Sequence, residues 1–315
     1  MLTRYIGHRL LIALPVLVIV SVLVFSLLHA VPGDPAAVMA GDSATPEQVE
    51  TVRKALHLDQ PLYQQFGSWY ASVLRGDLGN SLSLGQSVTA AIGERLPVTL
   101  SLAVYALLMS VPLGLIAGVI AAYWRGTWVD TLVMSTAMLG VSIPNFWLGL
   151  LTIFLFAVHL GWLPAGQYVP LHESITGWIA SLTLPAFCLT AFQIGFLIRI
   201  TRSSMLEVLS QDYIRTARAK GLTELRTVFK HAMRNVMIPV VTVIGLMLNV
   251  MISGAVVVEQ AFTLPGIGTL IVNGVLSRDY PLIQGALLVI ASLFLLINLV
   301  VDLLYMYFDP RVGHV

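Results

Sequence analysis

Long apolar runs, separated by short clusters of charged and turn-forming residues, dominate the chain. A membrane core about 30 Å thick needs about 20 residues of helix rising 1.5 Å each. Six windows reach that length, over about 10–30, 97–123, 131–160, 177–198, 235–258 and 282–307. The third is uncharged as far as His159, and Gly161-Trp162-Leu163-Pro164-Ala165-Gly166 then reads as an interfacial turn. The last contains Asp302, which is costly in lipid unless it faces protein or lies close to the headgroups. Arg4 and Arg9 give the first window the look of a signal peptide. Its apolar stretch is longer than the usual ~7–15 residues, and His29-Ala30-Val31-Pro32-Gly33-Asp34 lacks a small-x-small cleavage site, so it reads as a retained anchor helix.

The placement of Lys and Arg predicts orientation, because cytoplasmic loops are enriched in them. With the N-terminus inside, Arg4, Arg9, Arg125, Arg311 and the cluster from Arg199 to Arg234 are cytoplasmic. Arg53, Lys54, Arg75, Arg95 and Arg278 remain outside, four of them in one long segment where the bias is weak. An even number of spans then returns the C-terminus to the cytoplasm.

Two segments outside the windows are long enough to fold. The external one, 31–95, contains Thr45-Pro46-Glu47-Gln48, with a capping Thr, Pro at the first helical position and Gln at the third. Val49, Val52, Leu56, Tyr63, Phe66 and Tyr70 follow at helical spacing across a break at Pro61. This is the pattern of small amphipathic helices, which serve either as cover or as a docking surface. In the segment 201–234, Ala217 and Ala219 favour a short helix, Gly221 can end it, and Thr223 can cap another. Helix, glycine and helix between two spans make a compact cytoplasmic knob, either a protein-docking element or an ordinary positive loop.

Composition narrows the function classes. Only 10% of the 315 residues are charged and 57% are hydrophobic, with net charge +1 and mean hydropathy +0.86. Two water-facing globules could not be coated with so few charges, and the balance suggests no nucleic-acid partner. The lone Cys188 excludes an internal disulfide or an all-cysteine metal site. No Gly-x-x-x-x-Gly-Lys-Ser/Thr phosphate loop occurs, and none of Lys54, Lys220 and Lys230 follows a glycine, so any ATP is bound by another subunit. The seven histidines are widely separated, with no His-Glu-x-x-His pair. Glu259 and Asp302 would suit a proton relay, but both lie near span ends, where the cost of charge falls. Pro112, Gly114, Gly118, Gly140, Pro144, Gly149, Gly245 and Gly254 fit close helix packing, and also a path built from bent helices.

The run from Thr201-Arg202-Ser203-Ser204-Met205 through Asp212-Tyr213-Ile214-Arg215-Thr216-Ala217-Arg218-Ala219-Lys220-Gly221 to Ile238-Pro239 resembles the coupling segment of bacterial ABC importer permeases. The likeness is to the B-type dipeptide, oligopeptide and nickel branch. The general family pattern has Glu-Ala-Ala, three residues, Gly, and later Ile-x-Leu-Pro. This chain has Arg215-Thr216-Ala217 and Gly221, departing at the first two positions, and ends Met237-Ile238-Pro239. Further similar fragments are Pro32-Gly33-Asp34-Pro35, Leu56-His57-Leu58-Asp59-Gln60-Pro61-Leu62, Gly76-Asp77-Leu78-Gly79, Phe262 to Gly268, Arg278-Asp279-Tyr280-Pro281 and Asp309-Pro310-Arg311.

The resemblance implies an all-α polytopic protein of the bacterial inner membrane. It would have six transmembrane helices, a cytoplasmic coupling helix and a short external helical segment, with residues 1–315 forming one transmembrane domain. It further implies a second homologous permease, two ABC ATPase subunits that bind ATP and Mg, and an external solute-binding protein. This chain would then hold no cofactor and perform no catalysis. The coupling helix would run from about Gln211 to Gly221, with Asp212, Arg215, Thr216, Ala217, Arg218, Lys220 and Gly221 as the coupling residues. Ala217 and Gly221 would provide a rigid stop, and Arg215, Arg218 and Lys220 would pair with acidic groups of an ATPase. Short peptides are the leading substrate class, ahead of nickel chelates and glutathione. Ile143-Pro144-Asn145-Phe146-Trp147-Leu148 looks like nickel permeases, whereas Val256-Val257-Val258-Glu259 resembles peptide or glutathione members. The rival classes are an ion-driven secondary transporter and a membrane scaffold.

Overall fold

The computed structural model describes residues 2–30, 34–41, 44–55 and 58–308. Pro32, Gly33, Leu56, His57 and the closing Asp309-Pro310-Arg311 of the family fragments lie outside the described residues. The elements are α1 (Leu2–Ala30), α2 (Pro35–Ala40), α3 (Pro46–Ala55), α4 (Leu62–Leu74), α5 (Val88–Tyr123), α6 (Trp128–Ser142), α7 (Asn145–Thr152), α8 (Ile175–Leu209), α9 (Asp212–Ala219), α10 (Glu224–Arg226), α11 (Met233–Ala261), α12 (Ile267–Leu276) and α13 (Tyr280–Phe308). π-helical turns over Ile153–His159 and Thr227–Ala232 continue α7 and precede α11.

Among the described residues, five helices are long and apolar enough to cross a membrane, and a sixth crossing results if α6 and the helix after it count as one span. That pair occupies the third apolar window, which is built as two helices meeting at a break. Trp128–Ser142 and Asn145–His159 meet at 101°. Pro144 supplies the cause, since it has no N–H to continue the ladder and disfavours helical backbone in the residue before it. Ile143 is accordingly extended, at φ −89° and ψ 124°. Helices α5 and α8, with 36 and 35 residues, are each longer than a ~20-residue crossing requires.

The described residues form two compact units. One lies within Met1–Pro97 and Pro265–Leu296. Its apolar core joins Val88 and Ile92 of α5 to Ile267 and Leu270 of α12 and Leu282 and Ala286 of α13. Helix α3 begins with the expected capping box: the Thr45 N–H donates to Gln48 Oε1 at 2.8 Å, and the Gln48 N–H to Thr45 Oγ1 at 3.4 Å. Phe66 and Trp69 of α4 lie against Phe25 of α1, with ring centroids 5.4 and 5.8 Å apart. Tyr63, expected on the same face as Phe66, is instead 74% exposed.

Asp279 knots this unit together at 2% exposure. Its Oδ2 accepts from Ser81 Oγ at 2.6 Å, Ser83 Oγ at 2.7 Å and the Ser83 N–H at 2.9 Å, while Oδ1 accepts the Leu282 N–H at the start of α13. Burial pushes this carboxyl up, but the four hydrogen bonds outweigh burial and hold it below the usual carboxylate range.

The other unit lies within Val98–Leu264 and Ile297–Val315. Helix α8 is its axis, packed by α6, α7 and α11. Small residues set the crossings. A Cβ added at Gly118 would lie 2.6 Å from the Thr201 Cβ, and one at Gly140 would lie 2.7 Å from the Ala191 carbonyl oxygen. Gly195 repeats this in the opposite sense, because a Cβ there would collide with the Ala137 carbonyl. Side chains at these places would force the helix backbones apart.

Candidate functional site

The coupling residues expected from the sequence sit on a knob between α8 and α11. Helix α8 ends at Ser210, whose N–H bonds the Glu207 and Val208 carbonyls, and Gln211 turns extended at φ −72° and ψ 149° to open α9. Ile214 and Ala217, three residues apart, are buried, with Ile214 fully enclosed in the same core as Val228 and Ala232. This anchors α9 on the π turn and turns its other face outward. Asp212, Arg215, Thr216, Arg218, Lys220 and Gly221 are all exposed. Ala217 is thus the one residue of the expected set that packs inward.

Helix α9 stops in a Schellman arrangement. The Gly221 N–H bonds the Arg218 carbonyl at 2.9 Å and the Leu222 N–H bonds the Ala217 carbonyl at 3.4 Å. Gly221 adopts φ +78°, where a Cβ is disfavoured. Arg218 clamps the turn from outside, with Nε on Glu224 Oε1 at 2.7 Å and Nη2 on Oε2 at 3.2 Å. Arg218 therefore has an acidic partner within its own chain. Arg215 is less committed, since its Nη1 lies 3.6 Å from Asp212 Oδ1 and both side chains are largely exposed. Thr223 occupies the next cap position without a side-chain capping bond.

Sequence reasoning passed over two features of this region. Leu225 and Phe229 are 73% and 62% exposed beside Arg226 and Lys230. Their signal in the sequence is an apolar pair four residues apart inside a charged run. The second feature is Asp130, near the start of α6, whose Oδ1 and Oδ2 each accept from Arg202 of α8 at 2.7 Å. The Gly126 N–H adds a 3.0 Å bond to Oδ2. This bidentate pair ties α6 to the end of α8 that leads into α9.

The geometry is that of a small projection built on long apolar helices. Residues 110–314 match the family described as "Binding-protein-dependent transport system inner membrane component", and residues 1–103 match the N-terminal region described for the same kind of membrane component. A Brucella melitensis protein provisionally named a peptide transport system permease is 52% identical over 314 residues, covering 100% of both chains. The glutathione transport system permease of Escherichia coli strain K12 is 44% identical over 311 residues, covering 99% of each. Among solved structures, an inward-facing methionine ABC transporter chain aligns with a TM-score of 0.57 over 69% of this chain and 96% of its own, at 18% identity, a likeness of fold. The resemblance read from residues 201–239 is borne out: the chain belongs to the family of inner-membrane permease components of binding-protein-dependent transport systems, as a multi-pass, nearly all-helical member.

Proposed function

We propose that this chain forms half of the translocation path of an ATP-driven importer for short peptides. The observation that carries this reading is its end-to-end similarity to the Brucella relative named for peptide transport. In this reading residues 1–315 act as one transmembrane domain with both termini in the cytoplasm, the orientation favoured by the Lys and Arg distribution. A second homologous permease completes the path, an external solute-binding protein delivers the peptide, and two ABC ATPases bind ATP and Mg.

The α9 knob is the docking element for one ATPase. Its outward face offers Asp212, Arg215, Thr216 and Lys220, and Leu225 and Phe229 are exposed further along the same segment. Charge steers such a contact, while buried apolar anchors hold it. Arg218 acts by bracing the Gly221 turn against Glu224. Movement of α9 passes into α8 through the single residue pair Ser210–Gln211, and the Asp130–Arg202 bonds carry it on to α6. The path changes access only if these joints are stiff.

Glutathione is the second reading, favoured by the Escherichia coli permease at 44% identity. The test is copurification of the complex, followed by ATPase assays in lipid with its solute-binding protein and trialanine, longer peptides, glutathione or nickel chelates. Stimulation by trialanine supports the peptide reading, whereas stimulation by glutathione alone transfers the assignment to the second. Absence of copurifying ATPase subunits overturns both.

A further inference from the structure

One face of α6 carries Thr131, Ser135, Met138 and Ser142, recurring every three or four residues and all exposed. This stripe lines a shallow, open depression that reaches the Asp130–Arg202 pair. A narrower recess of about 270 Å³ shares Met138 and Ser142 with it and is completed on α8 by Phe192, Phe196 and Arg199. The Thr131 and Ser142 hydroxyls are spent on their own helix, on the Thr127 and Met138 carbonyls. The groove therefore offers adaptable methionines and, from Ser135, one hydroxyl not engaged in this way, a surface that discriminates weakly among side chains.

Two arginines one turn apart on α8 meet this groove in different electrostatic states. Arg202 is neutralised by the two bonds to Asp130. Arg199 lies over the Phe196 ring, 5.4 Å from its centroid, and makes no ion pair or hydrogen bond with any described residue. The ring restrains the guanidinium without occupying its donors. An exposed, oriented fork at the edge of a weakly selective groove matches a planar anion. Small peptides of every sequence share one such group, the terminal carboxylate.

We propose that Arg199, restrained by Phe196, receives the terminal carboxylate of the solute as it passes along the α6–α8 groove. The assignment rests on the reading of this chain as a peptide importer. It makes Arg199 a specificity-determining residue for a feature common to all substrates, while the methionine and hydroxyl stripe tolerates their differences.

The test compares ATP-dependent uptake of trialanine and of trialanine amide by the assembled complex in proteoliposomes, for the wild type, Arg199→Gln and Arg199→Lys. The binding protein's own preference is the same for each permease and cancels in the variant-to-wild-type ratio. Arg199→Gln should lower trialanine kcat/KM about 10-fold or more, the scale of one lost charge-assisted hydrogen bond, and leave the amide within about 2-fold. Arg199→Lys should fall between, keeping charge but losing the fork. If the wild type does not carry the amide, the readout becomes maleimide labelling of Arg199→Cys in a Cys188→Ala background, which trialanine should slow. Equal loss for both solutes, no loss for either, or no protection of the thiol overturns the assignment. An equal loss that varies with vesicle phosphatidylglycerol would assign Arg199 to a lipid phosphate instead. Wild-type failure to take up any carboxylate solute would overturn the peptide reading itself, and the assignment with it.

Discussion

Asp130 and Arg202 meet through two 2.7 Å bonds across 72 residues of sequence, with side chains 9% and 24% exposed. Removing one partner from so covered a pair leaves a stranded charge. Asp130→Asn should destabilise the complex by about 1–3 kcal/mol, read as a lower Tm in nanodiscs. Arg202→Met on that background should restore part of the loss, and strictly additive losses would rule out the coupling. Asp279 gives a pH signature. Its folded pKa lies below the unfolded value, so its contribution is complete above about pH 4 and disappears as pH falls through the folded pKa. Between pH 7 and 3 the wild-type Tm should drop more steeply than that of Asp279→Asn, and parallel curves would contradict the knot. Neither residue was legible as a hub in the sequence. Asp130 there is one acid at the edge of an apolar window, and Asp279 one position of a family fragment. Their partners are set by helix crossings and a loop that hydropathy does not encode.

At the scale of elements, apolar windows located the long helices well because burial in lipid is a property of composition. Their breaks were less visible. Pro144 stood out as one of several span prolines, but hydropathy does not encode the 101° at which the two helices meet there. The glycines of the crossings divide in the same way. Gly118 was apparent from its spacing to Gly114, whereas Gly195 acquires its meaning only from the Ala137 carbonyl opposite. Gly118→Val should push α5 from α8 and cost about 1–3 kcal/mol, with reduced yield of assembled complex as the readout. The end of α9 was readable from Gly221 itself, since the residue at φ +78° is the one with no Cβ. Gly221→Pro, which also removes the N–H bonded to Arg218, and Ala217→Asp, which places a charge at an 8% exposed position, should each lower solute-stimulated ATPase more than they lower Tm. Unchanged stimulation in the assembled complex would count against α9 as the coupling element.

For the whole molecule, the fold was legible from hydropathy and the class from the resemblance of residues 201–239 and the other fragments to a known family. Its substrate is less legible, because fragments of this chain resemble nickel, peptide and glutathione permeases at once. The α6–α8 groove offers a physical reason, having one oriented cation and an adaptable wall in place of a dedicated pocket. Selection would then fall mainly to the external binding protein, with the membrane path acting as a filter for charge. The most direct measurement is uptake of labelled trialanine into proteoliposomes containing both permeases and both ATPases, with ATP or an imposed proton gradient as the sole energy source. The account predicts uptake that requires ATP and the binding protein and ignores the gradient. Uptake driven by the gradient without ATP would contradict it and identify an ion-coupled transporter.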